Sequence, residues 1–344
     1  LPIIGACGGM IVPVLVFFLL CPEDVVAQRG LAIPMATDIA FSLGVLSVFK
    51  TRVPVGLKVF LAALAVADDL GGIIVIALFY SSDISWIYMA LSAVCVAAMV
   101  VANICKVRRK SFYVIVGLVL WYMMLNSGIH ATISGVLVAL CIPATLKKGT
   151  GHYLERIRKN INKFPVIDVD DLHKTVVLSN AEIHTLKSIE SAADKMISPL
   201  QDLEDNLHGL INFFVIPLFA FANAGIDLSQ MTFATLFSGV SISVLLGLVL
   251  GKFLGVFSFS WLAVRLKFVT LPEGTSWKAF ASVCVVCGIG FTVSMFIADL
   301  SYSGLGAEGV ALLNEAKLGV LVGSVVSAVL GVVLLGRTLP KEQK

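Results

Sequence analysis

Two adjacent aspartates in the middle of a long apolar stretch constrain this chain more than any other feature. The stretch covers residues 55–80 and reads VGLKVFLAALAVADDLGGIIVIALFY, with Asp68 and Asp69 near its centre. A helix of that length, at about 1.5 Å per residue, crosses a bilayer. A charge at the bilayer centre costs about 2.5–3.5 kcal/mol on insertion scales, and adjacent carboxylates also repel each other. In a soluble protein such a pair would indicate a turn or a helix cap, but at this depth it predicts an ion or proton site.

The composition indicates that most of the chain lies in a membrane. Of the 344 residues, 58% are hydrophobic and 14% are charged, whereas soluble domains have about 45–50% and 25%. The mean hydropathy is +0.97. A net charge of +3 is too small to indicate a nucleic-acid partner. The sequence therefore predicts an all-α polytopic membrane protein.

Apolar segments separated by polar loops define the organisation of the chain. Ten spans are predicted, at residues 1–21, 31–48, 55–80, 86–105, 111–125, 129–143, 210–225, 236–262, 279–300 and 309–336. They predict three parts: a six-span membrane part at 1–146, a polar insertion and connecting segment at 147–207, and a four-span membrane part at 208–344. Residues 191–207 are expected to form an amphipathic helix that leads into the seventh span. The insertion is interpreted as a solvated segment, with a regulatory role as the alternative.

Basic residues in the loops predict the orientation in the membrane. The loops on one side and the C-terminus hold Lys50, Arg52, Lys58, Lys106, Arg108, Arg109, Lys110, Arg265, Lys267, Lys278, Arg337, Lys341 and Lys344. The loops on the other side hold only Arg29. By the positive-inside rule, the first set and both ends of this chain are cytoplasmic.

Other chemistry receives little support from the sequence. The seven cysteines fall mostly in or beside apolar stretches and are interpreted as small hydrophobic residues. The spacing of Cys284 and Cys287 would suit a redox or metal pair, but no second pair or nearby histidine supports it. No phosphate-binding glycine loop of the ATPase type occurs. The chain opens in an apolar stretch without an initiator methionine, so we expect a piece of a longer protein.

Two spans carry residues that interrupt a helix. In the second span Pro34 is followed by the polar Thr37 and Asp38, and in the ninth Gly288 and Gly290 are followed by Thr292 and Ser294. Either span alone could be a kinked but continuous helix. However, each is the middle span of a triplet, and the two triplets enter the membrane from opposite sides. Interrupted spans at matching positions of inverted repeats indicate the substrate site of a transporter.

Two lysines also fall within predicted spans. Lys252 lies well inside the eighth span, where it either snorkels to the surface or pairs with a buried acid or the carbonyl end of a broken helix. Lys317 lies nearer the start of the tenth span, at a depth from which a lysine can snorkel.

Seven motifs, in this order, closely resemble the NhaA-type bacterial sodium/proton antiporters: PMATDIAFSLG, LAALAVADDLG, SGIHATISG, PLFAFANAG, GLVLGKFLG, LPEGT and CGIGFT. The resemblance covers nearly the whole chain except residues 147–198. It implies an NhaA-like fold of inverted repeats, in which two discontinuous helices cross at mid-membrane. By that pattern the chain starts at the third of twelve spans, without the first two.

The resemblance also implies roles for individual residues. Asp68 and Asp69 match the aspartates that bind Na⁺ and protons, and Thr37 and Asp38 match the Thr-Asp of the first broken helix, where the acid offsets half-helix ends. Lys252 matches the lysine that compensates charge and pairs with the first aspartate.

A second set of matches concerns the response to pH. His130 matches a histidine linked to pH response, and Glu204 and His208 match residues of a cytoplasmic pH-sensing region. Two departures lie in that region, because Gln201 stands where the family can carry a basic residue and Gly209 where a proline often follows.

The functional prediction is a secondary antiporter, not an enzyme, of the bacterial inner membrane. It exchanges cytoplasmic Na⁺ or Li⁺ for external protons, electrogenically and under pH control, and serves sodium and pH homeostasis. It needs no cofactor; its partners are these ions and the lipid bilayer, and a homodimer is left open. The alternatives are a channel or sensor on the same spans, and a related inverted-repeat transporter of organic anions. A channel would need a continuous polar path, whereas the acids cluster at one depth. An organic-anion site should be basic or neutral, with helix N-termini facing the substrate, and two aspartates argue against it.

Overall fold

The structure is a computed structural model that describes residues 1–21, 24–79, 85–145, 150–162, 179–223, 225 and 237–339, with residues 51, 77–79 and 150 described through their backbone only. Every regular element in these ranges is helical. The α-helices are α1 Pro2–Leu20, α2 Ile39–Ser47, α3 Val55–Phe79, α4 Trp86–Ile104, α5 Lys110–Leu125, α6 Thr132–Cys141, α7 Thr150–Ile161, α8 Asn180–Asp194, α9 Pro199–Leu210, α10 Ile216–Asn223, α11 Gly239–Leu246, α12 Lys252–Arg265, α13 Trp277–Val286, α14 Phe291–Tyr302 and α15 Gly306–Thr338.

The helices confirm an all-α polytopic membrane protein. Within the described ranges, seven helical stretches are long and apolar enough to cross a membrane, and the bent pair α13–α14 is an eighth. The apolar helices α5 and α6 are shorter. Each of the ten predicted segments is thus largely helical where it is described.

One predicted boundary is wrong. The helix that leads into the seventh span begins at Pro199, not at residue 191, and residues 191–194 instead end α8. The Ser198 side chain accepts a hydrogen bond from the Gln201 amide, and Pro199 occupies the first turn, where its missing N–H costs nothing. These two residues favour a new helix start over a continuation of α8.

The chain forms two compact units. The first comprises Leu1–Ser81 with Ile216–Lys344, and the second comprises Ser82–Val215. The first unit therefore contains α1–α3 and α10–α15, and the second contains α4–α9. The three-part division predicted from chain order (1–146, 147–207 and 208–344) stays a prediction.

In the first unit, α1 and α12 meet backbone to backbone at two glycines. A Cβ atom placed on Gly8 would collide with the carbonyl oxygen of Gly255, and one placed on Gly255 would collide with that of Gly8. Small residues allow this close approach. Within a bilayer, where the hydrophobic effect does not drive helices together, the resulting van der Waals packing stabilises the helix pair. The result is a tight α1–α12 pair beside α3.

Both expected interruptions are present. A 3₁₀-helix, Ala27–Met35, precedes α2, and the backbone is extended at Ala36 and Asp38. The break thus follows Pro34 by two residues, because Pro34 still fits within the 3₁₀-helix. In the ninth span, α13 and α14 are bent by 42° at a break that contains Gly288 and Gly290.

A π-helix, which the sequence does not predict, lies in the eighth span. It covers Gly247–Gly251 and joins α11 to α12 directly before Lys252. A Cβ atom placed on Gly247 would lie 2.8 Å from Cβ of Pro34, and one placed on Gly251 would lie 2.8 Å from Cα of Pro13. The π-helix, a frequent feature of functional sites, is therefore packed closely against both α1 and the first broken span.

Candidate ion-binding site

Asp68 is at the centre of a buried polar cluster in the first unit. Its side chain is fully buried, and its Oδ2 atom accepts a hydrogen bond from Thr37 Oγ1 at 2.8 Å. The same oxygen forms an ion pair with Lys252 Nζ at 2.7 Å. Within the described part of the chain, the other oxygen, Oδ1, is buried without a hydrogen-bond partner.

Lys252 does not snorkel. Its side chain has no exposed surface, and besides Asp68 its Nζ atom donates to the carbonyl oxygen of Met35. Met35 is the last residue of the 3₁₀-helix, so its carbonyl lies at the negative end of that half-helix. Both pairings considered from the sequence, a buried acid and a half-helix carbonyl end, are therefore present together.

Asp38 caps two half-helices at once. Its Oδ1 atom accepts from the Phe41 amide at the start of α2. Its Oδ2 atom accepts from the Thr292 amide at 3.0 Å and from Thr292 Oγ1 at 2.5 Å, at the start of α14. One buried carboxylate thus faces the positive N-terminal ends of a half-helix in each broken span.

Further hydrogen bonds join the two broken spans. They run from Asp38 N to Ile289 O at 2.7 Å, from Ser42 Oγ to Val286 O at 3.4 Å and from Ser294 Oγ to Ile33 O at 2.8 Å. Thr37 Oγ1 also lies 3.2 Å from Cys287 O, a second acceptor for its single hydroxyl proton. Backbone groups that a continuous helix would satisfy internally are therefore satisfied across the crossing.

Asp69 follows Asp68 on α3 but is in a different environment. Successive helix residues point about 100° apart, and Asp69 is only partly buried. Its Oδ1 atom is buried and, like Oδ1 of Asp68, has no hydrogen-bond partner among the described residues. Two neighbouring carboxylates thus each present one unsatisfied oxygen.

The residues predicted to respond to pH belong to the second unit. His130 Nδ1 lies 2.9 Å from Thr132 Oγ1, just before α6. On α9, His208 lies beside the Asn212 amide, with Nε2 at 3.1 Å. Glu204 is exposed and lines a cavity of about 530 Å³ between α5, α6 and α9.

The structure also adds residues that the sequence did not assign. The sequence shows Thr292 and Ser294 as polar residues after a break, but their partners become visible only in the folded chain. Lys317 lies at a depth that allows snorkelling, but it is only 5% exposed and its Nζ atom pairs with Asp299 Oδ1 at 3.0 Å. The isolated Asp299 carries no pattern that would have revealed this pair.

The crossing of two broken helices beside a buried Asp–Lys pair is typical of secondary ion transporters with repeated architecture. A sequence profile described as Na⁺/H⁺ antiporter 1 matches residues 1–335. The chain belongs to this family of Na⁺/H⁺ antiporters, and it is a transporter rather than an enzyme.

Curated relatives agree with this membership. The Na⁺/H⁺ antiporter NhaA of Bacteroides fragilis is 49% identical over 343 residues, which cover 100% of this chain and 76% of the relative. That of Bacteroides thetaiotaomicron is 48% identical, with the same coverage of each chain. The NhaA of an Escherichia coli strain is 43% identical over 330 residues, which cover 96% of this chain and 72% of the relative.

Proposed function

We propose that Asp68 and Asp69 form the shared site at which this Na⁺/H⁺ antiporter binds either Na⁺ or protons. The observation that carries the proposal is the pair of buried carboxylate oxygens, one on each aspartate, without a hydrogen-bond partner in the described ranges. A buried, unsatisfied polar atom costs about 1–3 kcal/mol. Na⁺ is a hard cation that takes oxygen ligands, and a carboxylate oxygen also accepts a proton, so either cargo removes this cost.

Competition for these oxygens supplies the coupling. Protonated carboxylates are neutral and bind Na⁺ weakly, whereas ionised carboxylates attract it electrostatically. Lys252 holds Asp68 through Oδ2 alone, which leaves Oδ1 free for cargo. If both aspartates are neutralised by protons and one Na⁺ replaces them, each cycle moves two positive charges against one and is electrogenic.

The two breaks provide the means of alternating access. The hydrogen bonds between the broken spans use side chains and freed backbone groups, which can exchange partners without the unfolding of a helix. Rocking of the repeats around a fixed site then exposes the aspartates to each side in turn. Thr37 contacts both Asp68 and the Cys287 carbonyl, so it would transmit the loaded state of the site to the second break.

Finer features rest on the resemblance alone. They are Li⁺ as a second cargo, a homodimer, the bacterial inner membrane with cytoplasmic chain ends, and pH control through His130, Glu204 and His208. Collapse of a proton gradient in everted vesicles, measured with Li⁺ in place of Na⁺, tests the second cargo, and a mass measurement in detergent tests the homodimer. The same vesicle assay, run with alanine at His130, Glu204 or His208, tests the pH control. Alanine variants with the parent pH profile would refute the pH assignment.

Na⁺-dependent collapse of a proton gradient in everted membrane vesicles tests the site. Asp69→Asn should abolish exchange, because an amide neither carries the compensating charge nor takes up a proton, and Asp68→Asn should be nearly as damaging. Asp299→Asn is the matched control, since it removes an acid of the same unit that pairs with Lys317. It should retain exchange.

The pH dependence of the apparent KM for Na⁺ tests competition directly. Across roughly pH 6 to 9, the KM should fall as pH rises and then reach a plateau, because each proton removed opens the site to Na⁺. A KM that is independent of pH, with only turnover changing, would exclude direct competition. Parent rates in both aspartate variants would refute the site itself.

A further inference from the structure

Two serines of α15 face the break of the ninth span. Ser324 Oγ accepts a hydrogen bond from the Phe291 amide at 3.1 Å, and Phe291 is the first residue of α14. Ser327 lies one turn further along α15, where a Cβ atom placed on Gly288 would be 2.5 Å from its Oγ atom. Both serines are buried, at 5% and 0% exposure.

α15 reaches the break because one of its faces is made of small residues. Gly319, Gly323, Ser327 and Gly331 recur every four residues and therefore share one helix face. A Cβ atom placed on Gly319 would lie 2.5 Å from the carbonyl oxygen of Ser241, and one placed on Gly331 would lie 2.5 Å from Val286. This face brings α15 against the eighth span and α13, and carries Ser324 to the adjacent start of α14.

The N-terminal amides of α14 are thus held by two other elements. The Phe291 amide donates to Ser324, and the next amide, that of Thr292, donates to Asp38. The first amides of a helix have no partner within the helix, so such contacts fix where the helix begins. The position of α14 relative to Asp38 therefore depends on α15.

We propose that Ser324 is a positioning residue of the antiporter: its hydroxyl fixes the start of α14, so that Thr292 meets Asp38 and the neighbouring Thr37 keeps its contacts with Asp68 and the Cys287 carbonyl. The inference rests on the proposed ion site. Ser324 touches neither aspartate of that site in the described contacts and acts through Thr292 and Asp38.

Ser327 provides a matched control. It is on the same helix, is fully buried and adjoins the same break, but its hydroxyl has no partner in the part of the chain that the structure describes. Ser324→Ala and Ser327→Ala therefore remove the same atom in similar surroundings, and only the first removes a hydrogen bond to α14.

The test is the apparent KM for Na⁺ and the maximal rate in everted vesicles, at one pH and with expression levels matched. Loss of a capping hydroxyl should raise the KM of Ser324→Ala about three- to tenfold, with little change in maximal rate per folded molecule. Ser324→Thr, which keeps the hydroxyl, should restore the KM, and Ser327→Ala should have the parent KM. A merely structural loss would lower the amount of folded protein and leave the KM unchanged.

The Na⁺-induced rise in melting temperature provides a second readout for variants of low yield, and it should shrink in Ser324→Ala but not in Ser327→Ala. Two results would overturn the inference. One is a parent KM for Na⁺ in Ser324→Ala, and the other is a KM that rises equally in Ser324→Ala and Ser327→Ala. Asp69→Asn in the same series separates the two proposals. If it abolishes exchange while Ser324→Ala is silent, the ion site stands and only the role of Ser324 falls.

Discussion

The ion pair between Asp68 and Lys252 should make removal of the lysine charge unusually costly. At an effective dielectric constant of about 20, two unit charges 2.7 Å apart attract each other by about 6 kcal/mol. Desolvation offsets much of this, but removing one partner of a buried pair typically costs about 3–5 kcal/mol, because the other charge stays buried and unpaired. Asp68 can reduce the loss by taking up a proton.

Lys252→Met tests this, because it keeps an unbranched side chain of nearly the same length and removes the ammonium group with its charge and donors. The expected loss of stability corresponds to a fall in melting temperature of roughly 5–10 °C. It should be measured in detergent at a fixed scan rate, because membrane proteins often unfold irreversibly. Lys252→Arg retains the charge and should be milder.

Two comparisons show whether the pair itself is responsible. The double variant of Lys252→Met and Asp68→Asn should lose less than the sum of the single losses, because no unpaired charge remains. Lys317→Met is the control for a lysine whose partner, Asp299, is 30% exposed and can stay hydrated when the lysine charge is removed; it should cost less stability than Lys252→Met. A loss of stability for Lys252→Met no larger than that for Lys317→Met would show that the buried pair is not responsible.

Two further predictions concern the regions outside the ion site. With the native exposed cysteines replaced by serine, a cysteine at Glu155 should react with an impermeant thiol reagent only from the cytoplasmic side, and one at Asp24 only from outside; the opposite pattern would reverse the orientation. The Ser179 amide and hydroxyl both donate to Glu182 and hold the pKa of its carboxyl below the ordinary value. The hydrogen bonds to the Glu182 carboxylate therefore stabilise α8 above the ordinary pKa and are lost as pH falls through the lowered one, whereas the bond from the Glu182 amide to Ser179 Oγ does not depend on pH. Ser179→Ala should thus speed amide exchange in the first turn of α8 severalfold at neutral pH, and by less once Glu182 is protonated; a larger effect at low pH than at neutral pH would contradict this.

The class of fold, and the charged residues that lie within the membrane-spanning helices, can be predicted from the sequence. An apolar segment must satisfy its backbone internally when it crosses a membrane, so hydropathy alone predicts helices. The cost of a charge at that depth marks Asp68, Asp69 and Lys252 as candidate functional residues. The interruption near Gly288 and Gly290 also follows from local conformational preference.

The tertiary structure alone decided which polar groups meet. The exact position of the first break, after Pro34 rather than at it, depends on the 3₁₀-helix that packs against the π-helix at Gly247. The π-helix itself has no signature in a run of apolar residues and glycine. Lys317 shows the same limit, because a lysine near the end of a span has two low-energy solutions, and a partner 18 residues away decides between them.

The caps of α14 make the difference clearest. Asp38 and Ser324 lie 254 and 33 residues away from the amides that they accept from, so no local pattern connects them. Buried hydrogen-bonding groups must find partners, but the sequence specifies only that the need exists. The crossing of the two broken spans and the small-residue face of α15 bring these partners together, and that packing is a property of the whole first unit.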